Sequence, residues 1–161
     1  MDINKNNLLN SIFYPRKTYS EKDSKDYLIA MNNTTKISSR LFLEDKNNPI
    51  IVFFHGNAEV AQDYNDIAEY YHRFNLNLIV VEYRGYGFSD GFPTKDNLLT
   101  DAITSFNKLK IYLSDNNFDK GLFVMGRSLG SASAFHIAHS CENEINGCII
   151  ESGFATEYSL L

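Results

Sequence analysis

The stretch Leu122-Phe123-Val124-Met125-Gly126-Arg127-Ser128-Leu129-Gly130-Ser131-Ala132-Ser133-Ala134 decides how the whole chain is read. Its first four residues are apolar without alternation, as expected of a strand buried on both faces of a sheet. Its last four are small, which suits a helix start packed close to neighbouring backbone. Between them lies Gly126-Arg127-Ser128-Leu129-Gly130, a G-x-S-x-G pentapeptide. The bare pentapeptide carries little weight, because glycine and serine are common. Between a buried strand and a small-residue helix, it describes a tight, strained turn that lifts a serine hydroxyl above the sheet, with flanking glycines avoiding clashes. The helix N-terminus there favours developing negative charge. Ser128 is therefore the candidate nucleophile, and the plain alternative is a serine that only caps a helix.

Working outward, strands alternate with helices. Upstream, Ile50–Phe54 is a second continuous apolar run, followed by a predicted helix from Glu59 to Phe74 with Val60, Tyr64, Ile67, Ala68 and Tyr71 at helical spacing. Asn77–Tyr83 is the next buried strand, leading into the glycine-rich loop Arg84-Gly85-Tyr86-Gly87-Phe88-Ser89-Asp90-Gly91. Thr94 is placed to cap a helix reaching about Leu113, with Leu98, Ala102, Phe106, Leu109 and Leu113 inward. Ser128–Cys141 reads as a helix and Asn146–Ile150 as the last strand. Nearer the start, Tyr27–Met31 and Lys36–Leu43 read as strands joined by a turn at Asn32-Asn33. The pattern predicts an α/β fold: a mostly parallel sheet with helices on both faces and an antiparallel N-terminal edge. A poorly patterned segment, 1–25, precedes a single domain over 26–161, with Phe13-Tyr14-Pro15 laid against it in extended form.

Composition narrows the chemistry. With 43% hydrophobic residues in 161, the chain can bury a core, so wholesale disorder is excluded. A net charge of −5 gives no reason to expect nucleic acid or an anionic membrane as partner. Apolar runs are strand-length, far short of the roughly 20 residues of a membrane helix, and the polar start does not read as a secretion signal. The expectation is a soluble cytoplasmic protein. Cys141 and Cys148 read as reduced thiols. His136 and His139 stand three apart, but no further ligand accompanies them, so no metal and no cofactor is expected.

A serine attacking an acyl carbon needs two backbone N–H donors for the oxyanion. One is expected from Leu129, directly after Ser128. The other is expected from the loop after Ile50–Phe54, at Asn57, with Gly56 allowing close approach. His55 lies on the oxyanion side and reads as a residue that orders this loop.

Taken in order, Phe13-Tyr14-Pro15, His55-Gly56-Asn57-Ala58-Glu59, Tyr83 to Thr94, Gly126 to Ser131 and Glu151-Ser152-Gly153-Phe154 resemble the α/β-hydrolase superfamily. The branch resembled is that of the serine-aminopeptidase-like and bud-emergence-protein-like hydrolases, which includes depalmitoylating thioesterases. The resemblance runs from about Ser11 to Leu161. It implies a cofactor-free serine esterase, thioesterase or amidase acting on a small acyl substrate or an acylated protein or peptide. It also implies the nucleophile role for Ser128 and the oxyanion roles for Asn57 and Leu129, with Arg84 and Ser89 architectural.

In this family the acid and then the histidine of the triad follow the serine. No histidine follows His139 here, and Glu151 as acid has no partner. The chain is therefore expected to be the N-terminal and central part of such a domain, catalytically incomplete alone. The alternative function is a non-catalytic truncated or split-enzyme fragment that binds a complementary C-terminal chain or self-associates. The last strand is then expected to be an open edge, with an apolar patch among Leu122, Val124, Cys148 and Ile150.

Overall fold

The computed structural model describes residues 13–153. Its strands are β1 (Asp26–Ala30), β2 (Lys36–Phe42), β3 (Ile50–Phe54), β4 (Asn77–Val81), β5 (Leu122–Arg127) and β6 (Gly147–Glu151). Its helices are α1 (Asn65–Arg73), α2 (Lys95–Asp115) and α3 (Gly130–Ser140), with 3-10 turns at Ala61–Tyr64 and Glu142–Glu144. The strands form one sheet in the order β1-β2-β4-β3-β5-β6. Strand β3 is flanked in parallel by β4 and β5, and β6 extends β5 in parallel. The β1–β2 hairpin adds an antiparallel edge beside β4. Its turn is held by the Asn32 side chain, whose Oδ1 accepts from the Thr34 and Thr35 amides at 2.9 and 2.8 Å.

Strands β3 and β4 are buried on both faces because their side chains alternate between two apolar layers, whereas β5, expected to be buried on both faces, is fully buried only on the side of Val124. Val52, Phe54, Ile79, Val81 and Val124 pack against α2 and α3. Ile51, Phe53, Leu78 and Val80 pack against Ala61, Tyr64 and Ala68 on the other face. Helix α2 starts where a local signal puts it. Thr94 Oγ1 accepts from Asn97 N–H at 3.2 Å, and Asn97 Oδ1 accepts from Thr94 N–H at 2.8 Å. Leu98, Ala102, Phe106, Leu109 and Leu113 are its buried stripe.

Three expectations need correction. The helix expected over Glu59–Phe74 is a 3-10 turn followed by the shorter α1. Val60, Tyr64 and Ala68 are buried, but Ile67 is 40% exposed. A 3-10 turn advances about three residues per turn, not 3.6, so the turn at Ala61–Tyr64 shifts the inward face away from Ile67. The helix expected from Ser128 begins instead at Gly130, because Ser128 has φ +50° and cannot join it. The patch expected among Leu122, Val124, Cys148 and Ile150 is misplaced. Val124 is fully buried, Leu122 and Ile150 pack on the core beside α3, and only Cys148 is exposed. The thinly covered face is the opposite one, with Phe123 and Met125 half-buried and Ile149 42% exposed. The reason is helix placement: α3 lies over β5 and β6 on the Val124 side, while α1 lies over β4. Among the described residues, β6 pairs with β5 alone. Both cysteines are free thiols. The segments 1–12 and 154–161, with Phe154, lie outside the described residues.

Candidate active site

Strand β5 ends at Arg127, α3 begins at Gly130, and the two residues between them turn the chain. Ser128 makes the turn in the left-handed region and is exposed beyond the C-terminal end of β5. The flanking glycines explain why the chain folds this way. A Cβ at Gly126 would run into the Gly130 carbonyl and lie 2.8 Å from Ala134 Cβ. A Cβ at Gly130 would run into the Phe54 carbonyl and lie 2.9 Å from that of His55. The turn is pinned on both sides. Ser131 donates to the Ser128 carbonyl from its hydroxyl at 2.6 Å and from its amide at 3.0 Å. Ser128 N–H donates to the Glu151 carbonyl of β6 at 2.9 Å.

The His55-Gly56-Asn57 loop follows β3, whose Phe54 is in register with Gly126 of β5. The loop and the serine turn thus leave adjacent strands at the same end of the sheet. Leu129 is buried in the turn itself. Asn57 is held through its side chain: Oδ1 accepts from Tyr86 O–H at 2.6 Å, Tyr14 N–H at 3.0 Å and Ala58 N–H at 3.1 Å. Gly56 N–H donates to Glu59 Oε2 at 2.8 Å, and Tyr64 O–H donates to the same oxygen at 2.6 Å. Glu59 Oε1 meets Arg127 at 3.3 Å, so one carboxylate ties the loop to the residue before Ser128. Arg127 also faces Glu151 at 3.6 Å.

Beneath the loop lies a buried ionisable pair. His55 has no exposed surface, and its Nδ1 is 2.8 Å from the Gly56 carbonyl. Its Nε2 is 2.8 Å from Glu82 Oε2, while Glu82 Oε1 accepts from Ala61 N–H at 2.8 Å. Burial pulls the imidazole toward neutrality, but the hydrogen bond and charge of Glu82, with the Gly56 carbonyl and the charge of Glu59, outweigh it. The His55 pKa is raised overall. Tyr83 O–H donates to the His55 carbonyl at 2.5 Å. Burial lifts the Tyr83 pKa well above its usual value and the Tyr86 pKa to about 12, so both remain neutral donors.

The structure therefore brings Ser128, Leu129 and the Asn57 loop to one end of the sheet. His55 faces inward beneath its own loop. His72 lies on α1, with Nε2 3.2 Å from the Phe42 carbonyl and Nδ1 3.3 Å from Glu44. His136 and His139 lie along α3. Arg84 pairs with Asp101 at 2.6 and 2.9 Å, and Ser89 Oγ accepts from Ser38 N–H at 3.0 Å. Among the described residues, no group of three His, Cys, Asp or Glu side chains is arranged to hold a metal. The sequence alone assigns no site role to Glu59, Glu82 or Tyr86. One signal was available: Glu82 is a carboxylate directly after the apolar run Leu78–Val81.

A hydrolase family model described as serine aminopeptidase, S33 matches residues 45–158. Protein bem46 of Schizosaccharomyces pombe is 29% identical over 126 residues, covering 74% of this chain and 41% of that protein. The lysophosphatidylserine lipase ABHD12 of Rattus norvegicus is 33% identical over 113 residues, covering 67% of this chain and 27% of that one. Among solved structures, the Pyrococcus furiosus esterase Pf2001 aligns with TM-score 0.65 at 21% identity, over 86% of this chain and 57% of that one. The predicted CIB-like hydrolase of Thermoplasma acidophilum aligns with TM-score 0.62 at 22% identity, over 83% and 64%. The chain thus spans less than two thirds of the length of each.

Proposed function

Because the chain belongs to the serine aminopeptidase S33 family of α/β-hydrolases, we propose that it carries the nucleophile and oxyanion-binding part of a serine acyl hydrolase. The observation that carries this reading is Ser128, exposed at φ +50° between the parallel strand β5 and helix α3. The substrate class is an ester, thioester or amide of a small acyl group, or an acylated protein or peptide. Ser128 Oγ attacks the acyl carbon and gives its proton to a general base. The tetrahedral oxyanion accepts hydrogen bonds from the Asn57 and Leu129 amides. The bond to the leaving group then breaks, the leaving group takes the proton, and water releases the acyl group from Ser128. The chemistry calls for no cofactor.

Among the described residues this reading assigns no base, and His136 and His139 lie further along α3 than the turn at Ser128. The two ring nitrogens of His55 are engaged by Gly56 and Glu82, and those of His72 by Phe42 and Glu44. We therefore expect slow turnover by this chain alone. An oxyanion hole with substrate binding but no complete triad still leaves about 10³–10⁴-fold acceleration over water. The test is p-nitrophenyl ester hydrolysis by the 161-residue chain and by Ser128→Ala. Weak turnover that disappears in the variant supports the reading, and equal rates in both overturn it. A second reading, a non-catalytic fragment that binds a complementary chain, is favoured by the edge of β6 and the exposed Ile149 beside it. Among the described residues no helix is long and apolar enough to cross a membrane; cytoplasmic residence is part of the proposal and is checked by cell fractionation.

A further inference from the structure

The peptide unit joining Gly56 and Asn57 is grasped from behind by the buried His55–Glu82 pair. A trans peptide directs its carbonyl and its N–H to opposite sides. The Gly56 carbonyl and the Asn57 N–H belong to one such unit, and the carbonyl points at His55 Nδ1, 2.8 Å away. A carbonyl only accepts, so Nδ1 carries a proton. On the far side of the ring, Nε2 meets Glu82 Oε2 at 2.8 Å. The carboxylate site is purpose-shaped. Its other oxygen accepts from Ala61 N–H at 2.8 Å. Gly87 leaves it room, since a Cβ there would run into the Glu82 side chain. The unit is clamped from its other neighbour too, because Gly56 N–H donates to Glu59 Oε2 at 2.8 Å.

We propose that His55, held by Glu82, is a positioning residue for the acyl-transfer step: it fixes and polarises the Gly56–Asn57 peptide so that Asn57 N–H is oriented and strengthened as an oxyanion donor. The proposal rests on the assignment of Asn57 N–H to the oxyanion. A donor bonded to the carbonyl oxygen draws electron density through the conjugated C–N bond and makes the N–H on the other side a better donor, as hydrogen bonds in a chain strengthen one another. The relay runs Glu82, His55, Gly56 carbonyl, Asn57 N–H. It is strongest while the ring carries a proton on both nitrogens. The ionisable groups facing the ring are Glu82 after β4, Glu59 in the loop, and Tyr83 and Tyr86, whose rings lie 4.6 and 5.6 Å away. From the α3 side the loop meets Gly130, which has no side chain.

The test needs no turnover. In the ¹⁵N-labelled 161-residue chain, the Asn57 amide proton should shift upfield as rising pH removes the second ring proton of His55. Glu82→Gln keeps the size and the acceptor for Ala61 but removes the charge. It should lower the pH at which His55 loses that proton, and with it the pH at which the Asn57 amide moves upfield, and Glu82→Asp should restore part of the difference. An Asn57 amide that ignores the His55 titration overturns the proposal, and the wild-type chain alone decides that point. A second arm measures Ser128 acylation, where Glu82→Gln should lower the rate constant about tenfold with little change in half-saturation, a fraction of the 10²–10³ for outright removal of an oxyanion donor. An unchanged Ser128-dependent rate overturns the proposal. Loss of Ser128 dependence in the wild type instead overturns the hydrolase assignment, and the amide titration still reports on the relay.

Discussion

Ser128 occupies a backbone region that costs a non-glycine residue on the order of 1–3 kcal/mol, and its neighbours hold it there. The contact most sensitive to change is at Gly130, whose Cα faces the Phe54 and His55 carbonyls. Neither carbonyl is the end of a flexible side chain, so an added methyl forces the backbone to move. Gly130→Ala should cost at least the 1–3 kcal/mol typical of overpacking, seen as a lower urea midpoint, whereas an unchanged midpoint would mean the elbow is looser than described. His55 supplies a pH signature at the same scale. Its raised pKa means that the folded state holds the proton more tightly than the unfolded chain. The stabilisation is then complete below the ordinary histidine value of about 6.5 and is lost as pH rises through the folded value. Urea midpoints should fall toward alkaline pH in the wild type and less so in Glu82→Gln. Equal slopes would detach the effect from this pair.

At the scale of elements, two devices fasten segments that the sheet alone would not hold. Arg16 makes a bidentate pair with Asp63 at 2.8 and 2.9 Å and reaches the Ala58 carbonyl, while Gly87 N–H donates to the Arg16 carbonyl at 2.8 Å. This strap joins the loop that carries Asn57 to the loop that carries Tyr86. Arg40 of β2 is buried against Asp26, also buried, with Asp23 and Asn65 completing its contacts. Burial works against its charge, and Asp23 and Asp26 more than restore it. Arg40→Met should therefore leave Asp26 as an unpaired buried charge and cost about 3–5 kcal/mol, read as a lower midpoint in chemical unfolding. A loss below ~1 kcal/mol would show that Asp26 reaches water. Legibility in the sequence differs between elements for the same reason. The α2 cap and its stripe use residues within a few positions of each other, so the sequence carries them. The phase of α1 depends on the turn before it, where Ala61 N–H reaches Glu82, and no local pattern announces that.

For the whole molecule, the face carrying Phe123, Met125 and Ile149 beside the β6 edge is the place where association should start. The 161-residue chain should form dimers or larger species in size-exclusion chromatography with light scattering. Ile149→Lys should raise the monomer fraction, since it places a charge on the exposed face without touching the α3 side. A wild-type chain that stays monomeric at every concentration would show that this face is covered in solution.

By itself the sequence determined the fold class, the strand-to-helix turn at Ser128 and the order in which the loop after β3 and that turn follow their strands. Those features rest on steric needs and periodicities that neighbouring residues express directly, as Gly126 and Gly130 do around Ser128. Only the tertiary structure decided that Glu82 lies under His55, 27 positions away, and that Phe123 rather than Val124 faces the thin side of the sheet. Pairing of buried charges and coverage of a sheet face depend on which layers meet, and that is settled when helices pack, not along the chain.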